Sequence, residues 1–299
     1  MQTFAYTTDR GEPRIGVIYQ NRQLDFTHIW QIYKDMHNSP KSPDYHFIQI
    51  MIETGNFNAA ALNKVVHDVI NFRGPSDLVI KSNINYAVPI QRPQNIICLG
   101  RNYIEHAREM QNEPPQVPIL FAKCPSALLP HRGTIRIPKE IGRVDHEIEL
   151  AVVIGKETIR VSQQNAMEHV AGFSIVNDVT ARDLQADYKE RGLPWTLCKG
   201  MDTFLPMGPV LVPADAVQDP QNLTLECKVN DKVKQSSSTA KMIFNIPYII
   251  SYISKYITLQ AGDIICTGTP EGVSPLTPGD IVQCSIEGLG VLSNRVMEG

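Results

Sequence analysis

The sequence lacks the long apolar runs, the charge excess and the nucleotide-binding motifs that mark several large classes of protein. No apolar run among the 299 residues approaches the about 20 residues that a membrane-spanning helix needs. The formal net charge is only −3, so neither nucleic acid nor an anionic membrane is favoured as a partner. Neither G-x-G-x-x-G nor G-x-x-x-x-G-K-[ST] occurs, which leaves nucleotide cofactors without support. The first residues also lack the order of a secretory signal, and we expect a cytoplasmic protein.

The six cysteines show neither metal-site spacing nor a disulfide framework. No two form a C-x-x-C pair, and none has a Cys or His at structural-zinc spacing. Several lie within apolar runs such as "NIICLG" and "DIICTGTP", where a free cysteine packs as a small apolar side chain. We therefore expect all six to be reduced.

Two parts of the chain differ in pattern. "FAYTT", "RIGVIYQ" and "QLDFTHI" read as strands joined by turns, and helical periodicity follows at 45–54 and 59–72. A proline-containing stretch, "YAVPIQRPQN", then suggests a boundary. We predict a small N-terminal α+β accessory domain over residues 1–88 and a larger catalytic domain over residues 92–299.

The larger part contains many short β-type runs separated by Gly, Pro and Asp. Helical patterns interrupt them at 103–110, 162–169, 181–190 and 246–256. Regular alternation of strand and helix is absent, so the pattern predicts a mixed, mostly antiparallel α+β fold rather than a doubly wound sheet.

Acidic residues recur at strand spacing in "RVDHEIELAVVIGK". Asp145, Glu147 and Glu149 would share one face of a strand, because side chains at i and i+2 point the same way. Burying like charges this close is costly unless a cation neutralises them. Asp178, which follows the apolar run "FSIVN", could complete the site with Glu147 and Glu149. An all-oxygen set suits Mg²⁺ or Mn²⁺, Ca²⁺ less well, and disfavours Zn²⁺.

Each of these acids also has an ordinary interpretation. Asp178 could be a helix N-cap or a turn residue, and the two glutamates could lie on an exposed strand face. The strongly apolar run "IELAVVIG" argues against a solvated edge strand, and the combination of acids therefore favours a metal site.

A histidine and a glutamate lie three residues apart in "CLGRNYIEHAREM". On a helix, His106 and Glu109 would share a face and could form a hydrogen bond. A carboxylate orients the ring and raises its basicity, as a general base requires, although a surface His–Glu pair gives the same pattern. His146 alternates away from the glutamates and is expected to face the opposite side.

Several segments together resemble the fumarylacetoacetate hydrolase family. The motifs follow the family's order over residues 95–299 and are "GRNYIEHAREM", "FAKCPSAL", "DHEIELAVVIGK", "VNDVTARDLQ", "LPWTLCKGMDTFLPMGPV", "MIFNIPYIISYIS" and "GDIICTGTPEGV". The resemblance implies a mixed β-roll fold and a homodimer. It also implies a divalent metal, Mg²⁺ or Mn²⁺, on Glu147, Glu149 and Asp178.

The resemblance assigns further roles by position. His106 and Glu109 would activate water or move a proton, and Lys199 would support an oxyanion. The matching substrate-binding positions are Arg182, Gln185, Lys199 and Thr269, and Arg101 is a further candidate on the basis of its charge. Two segments depart from the family pattern. "KVKQSSSTAKMIF", a loop that could contact the substrate, differs at Lys234 and at Ala240–Lys241, and "TPEGVSPLTPGD" is shorter than in some relatives.

The implied substrate is a 2-oxo acid, which chelates a metal through its carboxylate and keto oxygens. We expect hydrolytic C–C cleavage of an acylpyruvate first. Oxaloacetate decarboxylation or tautomerisation, or isomerisation of a hydroxyhepta-dienedioate, are the alternatives at the same site. A non-catalytic, metal-stabilised scaffold is a third possibility.

Overall fold

The structure is a computed structural model that describes residues 1–109, 111 and 113–299. Its N-terminal part comprises β1 (Gln2–Thr7), β2 (Pro13–Tyr19), β3 (Arg22–Asp25), α1 (Phe26–Met36), α2 (Ile48–Glu53), α3 (Ala59–Arg73) and β4 (Asn85–Ala87).

Helix α1 was not predicted from the sequence. The expected third strand, "QLDFTHI", ends at Asp25, whose side chain accepts a hydrogen bond from the backbone N–H of His28 at 3.0 Å. Asp25 is therefore a helix N-cap, and the apolar residues after it bury one face of a helix. The predicted helix at 45–54 is shorter than expected, because the chain is still extended at Phe47.

The remaining strands and helices belong to the larger part of the chain. The strands are β5 (Ile96–Gly100), β6 (Ile119–Ala122), β7 (Leu128–Pro130), β8 (Thr134–Ile137), β9 (Val144–Asp145), β10 (Ile148–Ile154), β11 (Val170–Asn177), β12 (Thr180–Ala181), β13 (Leu205–Pro213), β14 (Thr224–Val229), β15 (Lys232–Ser238), β16 (Ile264–Cys266), β17 (Ile281–Ile286) and β18 (Gly290–Glu298). The helices are α4 (Ile104–Glu109), α5 (Arg182–Glu190), α6 (Thr196–Lys199) and α7 (Ile246–Ser254).

One of the predicted helices is wrong. The stretch 162–169 forms a turn and a short 3₁₀ segment, Ala166–His169, because the chain passes directly into β11. The carbonyl of His169 accepts a hydrogen bond from the N–H of Gly155 at 2.7 Å, which ties this segment to the end of β10. The predicted helix at 103–110 corresponds to α4, and its last residue, Met110, lies outside the described residues.

Two sheets carry the fold. An eleven-stranded sheet has the order β3-β2-β1-β13-β11-β10-β16-β5-β6, with β4 beside β1 and β7 beside β13. A five-stranded sheet has the order β15-β14-β17-β18-β8. Three pairings (β7 with β13, β5 with β16 and β8 with β18) are parallel, whereas the other pairings within these sheets are antiparallel. The mixed, mostly antiparallel α+β fold is thus confirmed.

The N-terminal strands continue the main sheet. Strand β1 pairs with β13, with Thr3 opposite Leu211, and apolar side chains from both parts share one core cluster. The division into domains at 1–88 and 92–299 stays a prediction. All six cysteines are free, as expected. Within the described part of the chain, none of the helices has the length and apolar character to cross a membrane.

Candidate metal centre and active site

Glu147 and Glu149 do not lie on one uninterrupted strand with Asp145. The predicted single strand is wrong, because β9 ends at Asp145 and β10 begins at Ile148. At the break, the backbone N–H of Glu147 donates to the side-chain oxygen of Asn177, the last residue of β11, at 2.8 Å instead of to a backbone carbonyl. After this break Asp145 and Glu147 share Arg182 as a partner, but their other partners differ.

Asp145 is neutralised by arginines. Its carboxylate accepts hydrogen bonds from Nε of Arg143 at 2.7 Å and from Nε of Arg182 at 2.8 Å. A buried carboxylate with two guanidinium partners needs no metal ion.

Glu147, Glu149 and Asp178 form a buried carboxylate cluster. One ligand atom from each lies within 4.8 Å of the other two, and the three residues are 4%, 1% and 0% exposed. The exposed-face interpretation of the glutamates is therefore wrong. Asp178 is not a helix N-cap either, since α5 is preceded by Ala181 and has no side-chain cap.

Three basic side chains contact this cluster. Lys199 Nζ lies 2.7 Å from Glu147 Oε2 and 2.6 Å from Asp178 Oδ2. Lys123 Nζ lies 2.6 Å from Asp178 Oδ1, and Arg182 Nη2 lies 2.5 Å from Glu147 Oε1. Burial would raise the pKa of Glu147, but the positive charges of Lys199 and Arg182 hold this pKa well below its usual range.

Glu149 differs from the other two acids. Its Oε2 accepts a hydrogen bond from the backbone N–H of Gly268 at 2.7 Å, and no basic side chain in the described part of the chain forms an ion pair with it. Burial and the negative charge of Asp178 raise the pKa of Glu149 well above its usual range. A divalent cation between the three carboxylates would offset this cost, and an all-oxygen donor set is the one Mg²⁺ and Mn²⁺ prefer. The residues therefore fit a divalent metal.

The predicted His–Glu pair is present on α4. His106 Nδ1 lies 3.2 Å from Glu109 Oε2, and the histidine is 6% exposed. The backbone N–H of Gly272 donates to both Glu109 oxygens, at 3.1 and 3.2 Å. Burial opposes ionisation, but the hydrogen bonds from His106 and Gly272 lower the pKa of Glu109. Nδ1 is thus occupied, which leaves Nε2 as the ring nitrogen that can exchange a proton.

One cavity brings most of the predicted residues together. Its lining includes His106, Glu147 and Glu149, and the predicted substrate residues Arg101, Arg182, Gln185, Lys199 and Thr269. Arg182 is held by Glu147 and Asp145 and donates to Gln185 Oε1 at 2.8 Å. The Thr269 hydroxyl donates to the carbonyl of Ile148 at 2.8 Å, which fixes its loop against β10.

Several residues at the site were not predicted from the sequence. Phe121, Lys189 and Trp195 line the cavity, and Lys123 pairs with Asp178 behind it. Gln235, which is fully buried, donates to Thr269 Oγ1 at 2.8 Å and lies 2.9 Å from His146 Nδ1. Nothing in the sequence near Gln235 marks it, because its partners are brought to it by the fold.

The motif order and the fold agree with the family and the structures that this chain resembles. The model of the fumarylacetoacetate (FAA) hydrolase C-terminal family matches residues 95–297. The chain belongs to the fumarylacetoacetate hydrolase family.

The names of similar proteins in this family state different activities. The chain is 45% identical over 224 residues to the mitochondrial oxaloacetate tautomerase FAHD2A of Bos taurus, covering 73% of this chain and 71% of the relative. A fumarylacetoacetate hydrolase from Exiguobacterium antarcticum matches over the full length of both chains, at 34% identity and a TM-score of 0.80. A fumarylpyruvate hydrolase from Pseudomonas aeruginosa, in complex with Mn²⁺ and pyruvate, matches 74% of this chain and 94% of its own, at 35% identity and a TM-score of 0.66.

Proposed function

We propose that this protein is a divalent-metal-dependent enzyme that interconverts the keto and enol forms of a 2-oxo acid, with oxaloacetate as the substrate. The observation that carries the proposal is the buried cluster of Glu147, Glu149 and Asp178 in one site with the His106–Glu109 pair. The name of the bovine relative supports oxaloacetate.

Each group has a role in this proposal. Glu147, Glu149 and Asp178 would hold the metal, which supplies a positive charge to the keto oxygen and makes the neighbouring C–H more acidic. His106 Nε2 takes a proton from that carbon and delivers it to the oxygen, and the reverse transfer regenerates the ketone. Glu109 stabilises the imidazolium between the two transfers. Lys199 fixes Glu147 and Asp178 and places positive charge beside the developing enolate.

Hydrolytic cleavage of an acylpyruvate, which the sequence placed first, is the second candidate. The anchoring of Glu109 on Gly272 favours it, because a rigidly held His–Glu pair also suits activation of a water molecule. The fumarylpyruvate hydrolase among the similar structures supports it too.

The two reactions can be separated with purified protein, with and without Mg²⁺. The enol form of oxaloacetate is followed by its ultraviolet absorbance, and acetylpyruvate cleavage by coupled detection of pyruvate. We expect metal-dependent acceleration of enol decay that His106→Ala removes and that His67→Ala, a change at an exposed histidine on α3, leaves intact. If pyruvate release from acetylpyruvate is faster than decay of the oxaloacetate enol, the protein is the hydrolase instead. Activity that persists after chelation, without added metal, would contradict both proposed reactions.

A further inference from the structure

Of the basic side chains that line the cavity, Arg101 and Lys189 differ from Arg182 and Lys199 in having no carboxylate partner among the described residues. Arg182 and Lys199 are each held by Glu147. Arg101 and Lys189 line the same cavity but form no ion pair with a carboxylate in residues 1–109, 111 and 113–299. Two cations beside a substrate cavity with no protein counter-ion attract an anionic group of the ligand.

The backbone conformation of Arg101 and the Trp195 ring beside Lys189 position these two side chains. Arg101 follows β5 with a φ of 58°, a left-handed conformation that is unfavourable for a residue with a side chain and is found preferentially at functional sites. Lys189 lies on α5 at i+4 from Gln185, so both side chains share the helix face that borders the cavity. Its Nζ lies 5.1 Å from the ring centroid of Trp195, a cation–π contact that restrains the ammonium group.

The pKa of Lys189 reflects the positive charges around it. Partial burial, together with the positive charges of Arg101 and Arg182, lowers the pKa of Lys189 to about 8. Lys189 is an exposed residue that also lines the cavity, which places it where the cavity opens to solvent, at its mouth. A ligand anchored by its 2-oxo acid end at the cluster would extend its other end toward this mouth.

We propose that Lys189, with Arg101, binds a second carboxylate at the distal end of the substrate, so that the site selects 2-oxo dicarboxylates over 2-oxo monocarboxylates of equal length. This inference rests on the proposed function, because the 2-oxo acid end must be held at the carboxylate cluster. Lys189 is thereby a specificity-determining residue.

The test compares two ligands that differ only at the distal end. Calorimetric titration of the Mg²⁺-loaded protein with 2-oxoglutarate and 2-oxopentanoate gives the ratio of their Kd values. We expect the wild type to favour 2-oxoglutarate by about tenfold, the scale of a charged hydrogen bond at a partly exposed site. Lys189→Met should lower this ratio toward one, with only Arg101 left for the distal carboxylate, and should weaken binding of 2-oxoglutarate more than that of 2-oxopentanoate. Lys189→Arg should keep most of the preference.

Lys255→Met, at an exposed lysine just after α7, is the matched control and should leave the ratio unchanged. If both ligands bind but Lys189→Met keeps the wild-type ratio, or if the wild type shows no preference, the distal subsite is refuted while the proposed function stands. If neither ligand binds the metal-loaded protein, the proposed function fails, and this inference fails with it.

Discussion

Replacing Glu149 by glutamine should separate the stability of the metal-free protein from its response to metal. Glutamine keeps the shape of the side chain and an oxygen that can accept a hydrogen bond from the backbone N–H of Gly268. In the wild type this nitrogen lies 2.7 Å from Glu149 Oε2. The substitution removes an ionisable group that has no basic ion-pair partner in the described residues and whose pKa is raised by burial and by the charge of Asp178. We expect the metal-free variant to be more stable than the wild type by about 1–3 kcal/mol, the cost of an uncompensated buried polar or charged group.

The response to metal should change in the opposite direction. Mg²⁺ at about 100 times its Kd stabilises a protein that binds it only when folded by about 2.7 kcal/mol. For a chain of this size that corresponds to a rise in Tm of about 5 °C. The Glu149→Gln variant has lost one of three charged ligands and should show a rise of less than about 1 °C under the same conditions.

Thermal unfolding with chelator and with Mg²⁺ measures both effects in one experiment. Glu226→Gln, at a partly exposed carboxylate paired with Lys228 at 2.9 Å, is the matched control and should behave as the wild type. A full Mg²⁺-dependent shift in Glu149→Gln would refute the assignment of this carboxylate to the metal. A metal-free variant less stable than the wild type would refute the argument that Glu149 is uncompensated.

Three further predictions concern neighbouring features. His106→Ala should lower the catalytic rate by about 10²–10⁴-fold while the Mg²⁺-dependent Tm shift persists, and loss of that shift would mean that His106 is needed for metal binding. Gly268→Ala should lower the Tm, because φ is +93° and the new Cβ would lie 2.7 Å from Asn102 Cβ; an unchanged Tm would contradict this. Burial lowers the pKa of His131 to about 4, so below pH 6.5 the unfolded state takes up the proton first and stability falls until about pH 4. Because His131 is only partly buried, solvent screening limits the loss in the free energy of unfolding to about 1–2 kcal/mol. Urea unfolding at pH 7 and pH 5 should show this loss in the wild type and a smaller one in His131→Asn.

The sequence by itself determined the elements whose signals are local. The mixed α+β class followed from short strands without regular alternation, and the His106–Glu109 pair followed from helical spacing. The apolar run around Glu149 already indicated that an acid there would be buried. The missed helix α1 had a local signal as well, since Asp25 precedes its first apolar residues at N-cap spacing.

Only the tertiary structure decided how the charges are divided. Asp145 and Glu147 lie two residues apart and share Arg182, yet Asp145 also pairs with Arg143 whereas Glu147 lies in the carboxylate cluster beside Lys199, because the chain leaves the strand between them. Lys123 lies 55 positions from Asp178 in the chain and meets it at 2.6 Å. Such pairings depend on which strands become neighbours, and no local pattern encodes them. Burial makes such pairings necessary, since a charged side chain that is removed from water needs an oppositely charged or hydrogen-bonding partner within a few ångströms.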